Sequence, residues 1–282
     1  MAGMVNVPYL SRRPRVAILR LQGVIAATGS RGTLSHAALA PLIERAFRKI
    51  KPVAVALAIN SPGGSPVQSA LIAAHIRRLA DETATPVHAF VEDAAASGGY
   101  WLACAADDIW VDESSITGSI GVISAGFGLQ DAIARHGIER RVHTAGVDKS
   151  MLDPFRPERA EDVERLKALQ ARIHAHFIDH VTTRRGDRLD RARDDLFTGD
   201  IFVGREAVEA GLADGIAHMG ARLREVYGPK IRSVALAPAR PLLLRLMPGV
   251  SRGGEVHGLG ADFSAGALDA IEARALWARL GL

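Results

Sequence analysis

"PVAVALAINSPGGSPVQSALIAAHIRRLADE", residues 52–82, joins three different kinds of pattern without a linker. Residues 52–60 form a near-continuous apolar run. A strand covered on both faces, as in a parallel sheet flanked by helices, has that character, whereas a sheet with one wet face alternates. The SPGG segment, residues 61–64, then ends the run. Proline followed by two glycines allows a tight turn with exposed amides that other backbone can approach closely. From residue 65 the apolar spacing becomes helical and stays so to residue 82. Strand, tight turn and helix in that order make one βα unit.

The same alternation extends on both sides. Strands are predicted at 15–25, 86–92, 108–112, 119–125 and 140–146, and helices at 36–50, from Ser97 onward and at 129–137. A long helix is predicted at 157–186, with Val163, Leu166, Leu169, Ile173, Phe177 and Val181 as a core-facing stripe. Residues 197–228 read as a short strand and two helices, and the pattern weakens after 230 until a last helix at 267–280. Repeated βα units imply a parallel sheet with crossover helices, an α/β fold. The expected organisation is one domain over 1–230 and an extension over 231–282 that serves as a lid, an oligomer contact or a peripheral membrane attachment through Leu242, Leu243, Leu244 and Leu246.

Composition removes several function classes. With 282 residues, 48% hydrophobic and 23% charged, the chain has the balance of a globular protein with a sizeable core. A net charge of +4 with interspersed signs gives no nucleic-acid footprint. The single cysteine, Cys104, lies among alanines and reads as a buried structural thiol. His174, His176 and His180 share the long helix, but no carboxylate or second histidine pair frames them, so no metal is expected there, nor any cofactor elsewhere. No signal-peptide core and no apolar run long enough to cross a bilayer is evident, which points to a cytoplasmic protein, soluble or peripherally attached.

The chemistry concentrates at Ser97, in "FVEDAAASGGYWLACAADDIWV", residues 90–111. Alanines precede this serine and Gly98 and Gly99 follow it, which leaves room for other backbone beside its hydroxyl. A serine nucleophile needs a base and backbone amides aimed at the oxyanion formed in acyl transfer. Gly98 at a helix start offers one amide, and Gly63 or Gly64 offers a second from the end of a neighbouring strand. The plain alternative makes Ser97 an N-cap and SPGG a turn. For the base, the residues alone leave His75, His88, His136, His143 and Lys149 open. A lysine in that role must be neutral, a state that desolvation favours.

Four segments in register carry a resemblance: "INSPGG", "AASGGYWLACAADDIWVDESSITGSIGVI", "KSMLDPFRP" and "FTGDIFVGREAVEAGLADGI". Over about residues 15–230 the chain closely resembles the signal peptide peptidase A family of serine peptidases in its short, single-domain form. The resemblance implies the stacked βαβ fold of the Clp peptidase and the crotonases. It further implies Ser97 as nucleophile, Lys149 as general base of a Ser/Lys dyad and Ser119 as the hydroxyl that holds the lysine. Gly63 and Gly98 are implied as oxyanion donors, with Gly64 as the alternative to Gly63. Signal-peptide remnants and other small or unfolded peptides are the implied substrates, and a homo-oligomeric ring the implied assembly. Two features depart from the pattern: no N-terminal anchor is evident, and Asp148 puts a carboxylate beside Lys149. Two other readings compete, a crotonase-like acyl-CoA enzyme and a non-catalytic peptide-binding scaffold.

Overall fold

The structure, a computed structural model, describes residues 13–27, 33–146, 148–236 and 274–282. In chain order the first half runs β1 (Arg15–Gln22), β2 (Val24–Ile25), β3 (Thr33–Leu34), α1 (His36–Glu44), β4 (Ala54–Ser61), α2 (Pro66–Thr83), β5 (Val87–Ala96), α3 (Gly98–Ala103), β6 (Asp108–Val111) and β7 (Ile116–Gly118). The second half runs α4 (Gln130–Arg135), α5 (Ala160–Arg185), β8 (Ile201–Val203), α6 (Arg205–Glu209), β9 (Gly215–Ile216), α7 (Met219–Tyr227) and β10 (Arg232–Ala235).

The main sheet has the order β10-β1-β4-β5-β6-β9, and every neighbouring pair in it is parallel. β7 adds to the end of β5, and β8 pairs antiparallel with β7. All positions of β4 are buried, as its unbroken apolar run requires. On one face Leu57 and Ile59 belong to a core with Ile43 and Phe47 from the first helical segment and Ile72 and Ile76 of α2. On the other face Ala54, Ala56 and Phe90 cluster with Leu223 of α7.

Sequence and structure part company in four places. Residues 119–125 form no strand: the one that precedes them ends at Gly118, where Gly118 and Ser119 take φ of 83° and 50° and turn the chain out of the sheet. Residues 140–146 form no strand and lie on a largely exposed arm, 121–159. The apolar stripe of α5 is buried only toward its C-terminal half: Phe177 and Val181 are enclosed, whereas Leu169 and Ile173 are 46% and 37% exposed. Finally, Arg232–Ala235 pairs with β1, so the sheet continues past residue 230. This strand is short, polar and mostly exposed, as an edge strand is, and so shows no periodicity. The last predicted helix falls partly outside the described residues, with 274–278 helical, and Leu242, Leu243, Leu244 and Leu246 lie wholly outside them. Among the described residues, no helix is long and apolar enough to cross a membrane.

α5 holds α3 from its C-terminal side. The final carbonyls of a short helix lack intrahelical partners, and here side chains of α5 supply them. His180 Nε2 bonds the carbonyl of Trp101 at 3.1 Å, and Arg184 donates to the carbonyls of Cys104 and Ala106 at 2.8 and 2.9 Å. The Trp101 ring stacks with both Phe177 and His180 of α5. Arg185 completes the clamp through Asp214 at 2.7 Å and the carbonyl of Gly211 at 2.9 Å. Burial holds the His180 imidazole below its usual range, outweighing the favourable bond to Trp101. A histidine kept neutral by the fold takes up its proton more readily when unfolded. Its contribution is therefore complete above the unfolded value of about 6.5 and declines as pH falls below it. Urea titrations at about pH 5 and about pH 8 should show wild type losing more stability on acidification than His180→Gln.

Candidate active site

The geometry around Ser97 begins with a bulge. β4 and β5 pair regularly up to Ile59↔Val91, after which the register jumps to Ser61↔Ala95. Extra residues on β5 bend the strand and re-aim the chain beyond the bulge. Asn60 stitches the irregular stretch together: its Nδ2 donates to Asp93 at 2.5 Å and its Oδ1 accepts the amide of Ala94 at 3.3 Å. The bent strand delivers Ser97 to the start of α3 with φ 52° and ψ −122°. A left-handed conformation in a residue that is not glycine costs about 1–3 kcal/mol and persists only where the surroundings enforce it. The enforcement here includes the Ser97 amide, which donates to the carbonyl of Gly118 at 2.8 Å.

Ser97 occupies the N-cap position of α3, yet its side chain makes no capping hydrogen bond. The plain N-cap reading therefore fails on geometry, and the half-buried hydroxyl has no partner among the described residues. The Pro62–Gly63–Gly64 turn lies against it. A Cβ on Gly63 would sit 2.8 Å from both the amide nitrogen of Gly98 and the Cβ of Ser97. A Cβ on Gly98 would lie 3.4 Å from the amide nitrogen of Gly64. Gly63, Gly64, Ser97 and Gly98 are thus packed backbone to backbone.

The two turn glycines differ in their hydrogen bonds. The Gly63 amide donates to Ser61 Oγ at 3.3 Å and its carbonyl accepts from Ile25 at 2.8 Å. The Gly64 amide has no partner among the described residues, and neither does that of Gly98. Gly63 is buried, while Gly64 is partly open to solvent. A free hydroxyl beside two free amides on glycines is the equipment for acyl transfer, with Gly64 rather than Gly63 as the unoccupied donor of the turn.

Ser119 arrives at the same place, since Ala96 pairs with Gly118 and leaves Ser97 and Ser119 as the next residues of adjacent strands. Both have φ near 50°. Lys149 is not brought in. It lies exposed in a turn on the arm, and its side chain makes no hydrogen bond or ion pair among the described residues. Asp148, its neighbour, pairs with Arg165 of α5. The other candidate bases are elsewhere. His88 is bound between Asp108 and Tyr227, His75 between His36 and Glu44, and His136 and His143 are exposed. His174 bonds the carbonyl of Ile120 at 2.9 Å. Burial pushes the Cys104 thiol up to about 12, which keeps it protonated and inert. Sequence reasoning gives no role to Asn60, Ser61, Arg184 or Arg185, and considers His180 only as a metal ligand. Only the asparagine and serine of "INSPGG" carried any local signal.

A family model described as "Peptidase family S49" matches residues 80–226. The Na(+)/H(+) antiporter NhaA of Brucella abortus (strain 2308) is 48% identical over 272 residues, covering 95% of this chain and 37% of that protein. The chain therefore spans little more than a third of that relative. The putative signal peptide peptidase SppA of Enterococcus faecium is 29% identical over 210 residues, covering 72% of this chain and 60% of that one. Among solved structures, the 1510-N membrane-bound stomatin-specific protease superposes with a TM-score of 0.50 at 14% identity, covering 81% of this chain and all of that one. That last likeness concerns the fold alone.

Gly63→Ala tests the backbone packing. Its φ of 102° disfavours any Cβ, and the added atom would meet Ser97 and Gly98 at 2.8 Å. The positive φ alone costs about 1–2 kcal/mol. The variant should lose that much stability or more in urea titration.

Proposed function

Because the chain belongs to peptidase family S49, we propose that it is a serine endopeptidase that cleaves small or unfolded peptides, signal-peptide remnants among them. The observation that carries this reading is the unpartnered Ser97 hydroxyl, held in a strained conformation beside the free amides of Gly64 and Gly98. In this mechanism Ser97 Oγ attacks the peptide carbonyl while Lys149, neutral, takes its proton. The Gly64 and Gly98 amides receive the negative charge of the tetrahedral intermediate. Lys149 returns the proton to the leaving amine, and an activated water then releases the acyl group. Ser119, next to Ser97 across β5 and β7, is the hydroxyl that steadies the lysine.

This reading requires the arm 121–159 to carry Lys149 to a serine. The arm and the facing part of α5 expose Ile123, Phe127, Ile138 and Leu169 at 59%, 85%, 58% and 46%. Apolar exposure of this extent suits a surface that another chain covers. A homo-oligomer that completes the site by covering the arm is part of the proposal. The acyl-CoA alternative has no use for a free serine hydroxyl, and the family match lies with peptidases.

Two experiments test the reading. Hydrolysis of a fluorogenic peptide should fall at least about a thousandfold in Ser97→Ala and in Lys149→Ala, as it does when one member of a catalytic unit is removed. It should stay at the wild-type level in His143→Ala, and fluorophosphonate labelling should disappear with Ser97→Ala. Folded wild type that neither hydrolyses peptides nor takes up the probe would favour the scaffold instead. Phe127→Asp, assayed by sedimentation velocity and peptide hydrolysis, should lower both the molecular mass in solution and the activity.

A further inference from the structure

Ser61 is fully buried, with no exposed surface at all, and stands where three backbone segments meet. Its hydroxyl donates to the carbonyl of Gly23, just past β1, at 2.7 Å. The same oxygen accepts the amide of Gly63 at 3.3 Å. Its own carbonyl underlies α3: a Cβ on Gly99 would lie 2.5 Å from Ser61 O. A serine hydroxyl has one proton to give and lone pairs to receive. With the proton directed to Gly23, a lone pair remains to fix the Gly63 amide.

We propose that Ser61 is a positioning residue that selects which amide of the Pro62–Gly63–Gly64 turn serves the reaction. It turns the Gly63 N–H inward and leaves the Gly64 N–H as the free donor beside Gly98. The inference rests on the proposed peptidase reading, in which the Gly64 and Gly98 amides receive the oxyanion. Other contacts hold the turn's opposite side, since Ile25 donates to the carbonyl of Gly63 at 2.8 Å and accepts from Ser65 at 2.7 Å. Ile25 holds the Gly63–Gly64 peptide plane, whereas Ser61 holds the Pro62–Gly63 plane, so removing the hydroxyl leaves the turn attached but lets the second plane rotate, and with it the φ of Gly63 that aims the Gly64 N–H. Gly63 and Gly64, at φ 102° and 139°, are the residue type that permits such rotation.

The test uses the full chain with Ser61→Ala and Ser61→Cys, the second keeping the volume and a weak donor in case the first does not fold. Each variant is compared with wild type for kcat and KM on a fluorogenic peptide. Affinities are also measured for a tripeptide aldehyde and for its alcohol. Ser97 Oγ adds to the aldehyde carbon, and the former carbonyl oxygen becomes the group that needs the amides; the alcohol forms no such bond. The expected result is a kcat about tenfold or more lower, given that loss of a whole donor costs about 100- to 1,000-fold. KM and alcohol affinity stay unchanged, and aldehyde affinity falls in proportion to kcat. Unchanged kcat in a folded variant would overturn the inference. So would a parallel fall in aldehyde and alcohol affinity, which marks general damage to the site. A wild type that neither turns over peptide nor prefers aldehyde to alcohol would overturn the peptidase reading itself, and this inference with it.

Discussion

The site depends on one packing constraint: two backbone segments, Pro62–Gly63–Gly64 and Ser97–Gly98–Gly99, touch with no side chains between them. A Cβ on Gly63 would meet the amide nitrogen of Gly98 and the Cβ of Ser97 at 2.8 Å, one on Gly99 would meet the carbonyl of Ser61 at 2.5 Å, and one on Gly64 would meet the carbonyl of Ile25 at 2.1 Å. Glycine is required at Gly63, Gly64 and Gly99, where the added atom would strike backbone. Peptide groups normally face one another across a sheet with their amides occupied, but here the chains meet beyond the regular ladder, where amides remain free. The strand order places β4 beside β5, so the turn after one necessarily lies next to the helix start after the other. This is the usual position of a site in an open α/β sheet, outside the carboxyl ends of the strands.

Close backbone packing must be held from outside, and the molecule does so from two directions. From the sheet side, Asn60 fills the bulge in β5 and Ser61 reaches the end of β1. From the helix side, α5 bonds the carbonyls that close α3. Arg185 is nearly fully buried with Asp214, whose ionisation burial opposes and the arginine restores. Such a pair adds little net stability, yet losing one partner strands a buried charge. Its value lies in fixing where α5 sits, and hence where α3 and Ser97 sit.

The arm 121–159 is different in kind. Several of its apolar residues remain exposed, Ile123, Phe127 and Ile138 among them. The expected strand at 140–146 fails to form because the alternation that signals a strand describes a side-chain pattern, and a strand also needs a neighbour to bond. Similarly, the stripe of α5 predicted burial along its whole length, but burial needs something to pack against. Leu169 and Ile173 have nothing sufficient within the described chain.

The sequence by itself determined the βα alternation, the parallel sheet and the cluster of small residues around Ser97. Each comes from local rules: the period of apolar residues, the breaking of strands by Pro62 and the clearance left by Gly63, Gly64, Gly98 and Gly99. Tertiary structure decided how the SPGG turn is held, because Ser61 bonds the carbonyl of Gly23 across 38 positions of chain and Ile25 bonds the carbonyl of Gly63. It also decided that His174 and His180 of α5 bond carbonyls, at sequence separations of 54 and 79. Even the strand at Arg232–Ala235 owes its existence to the open edge of β1 rather than to its own composition. Contacts between distant segments leave no periodic trace in either partner, so they become visible only when the fold brings the two together.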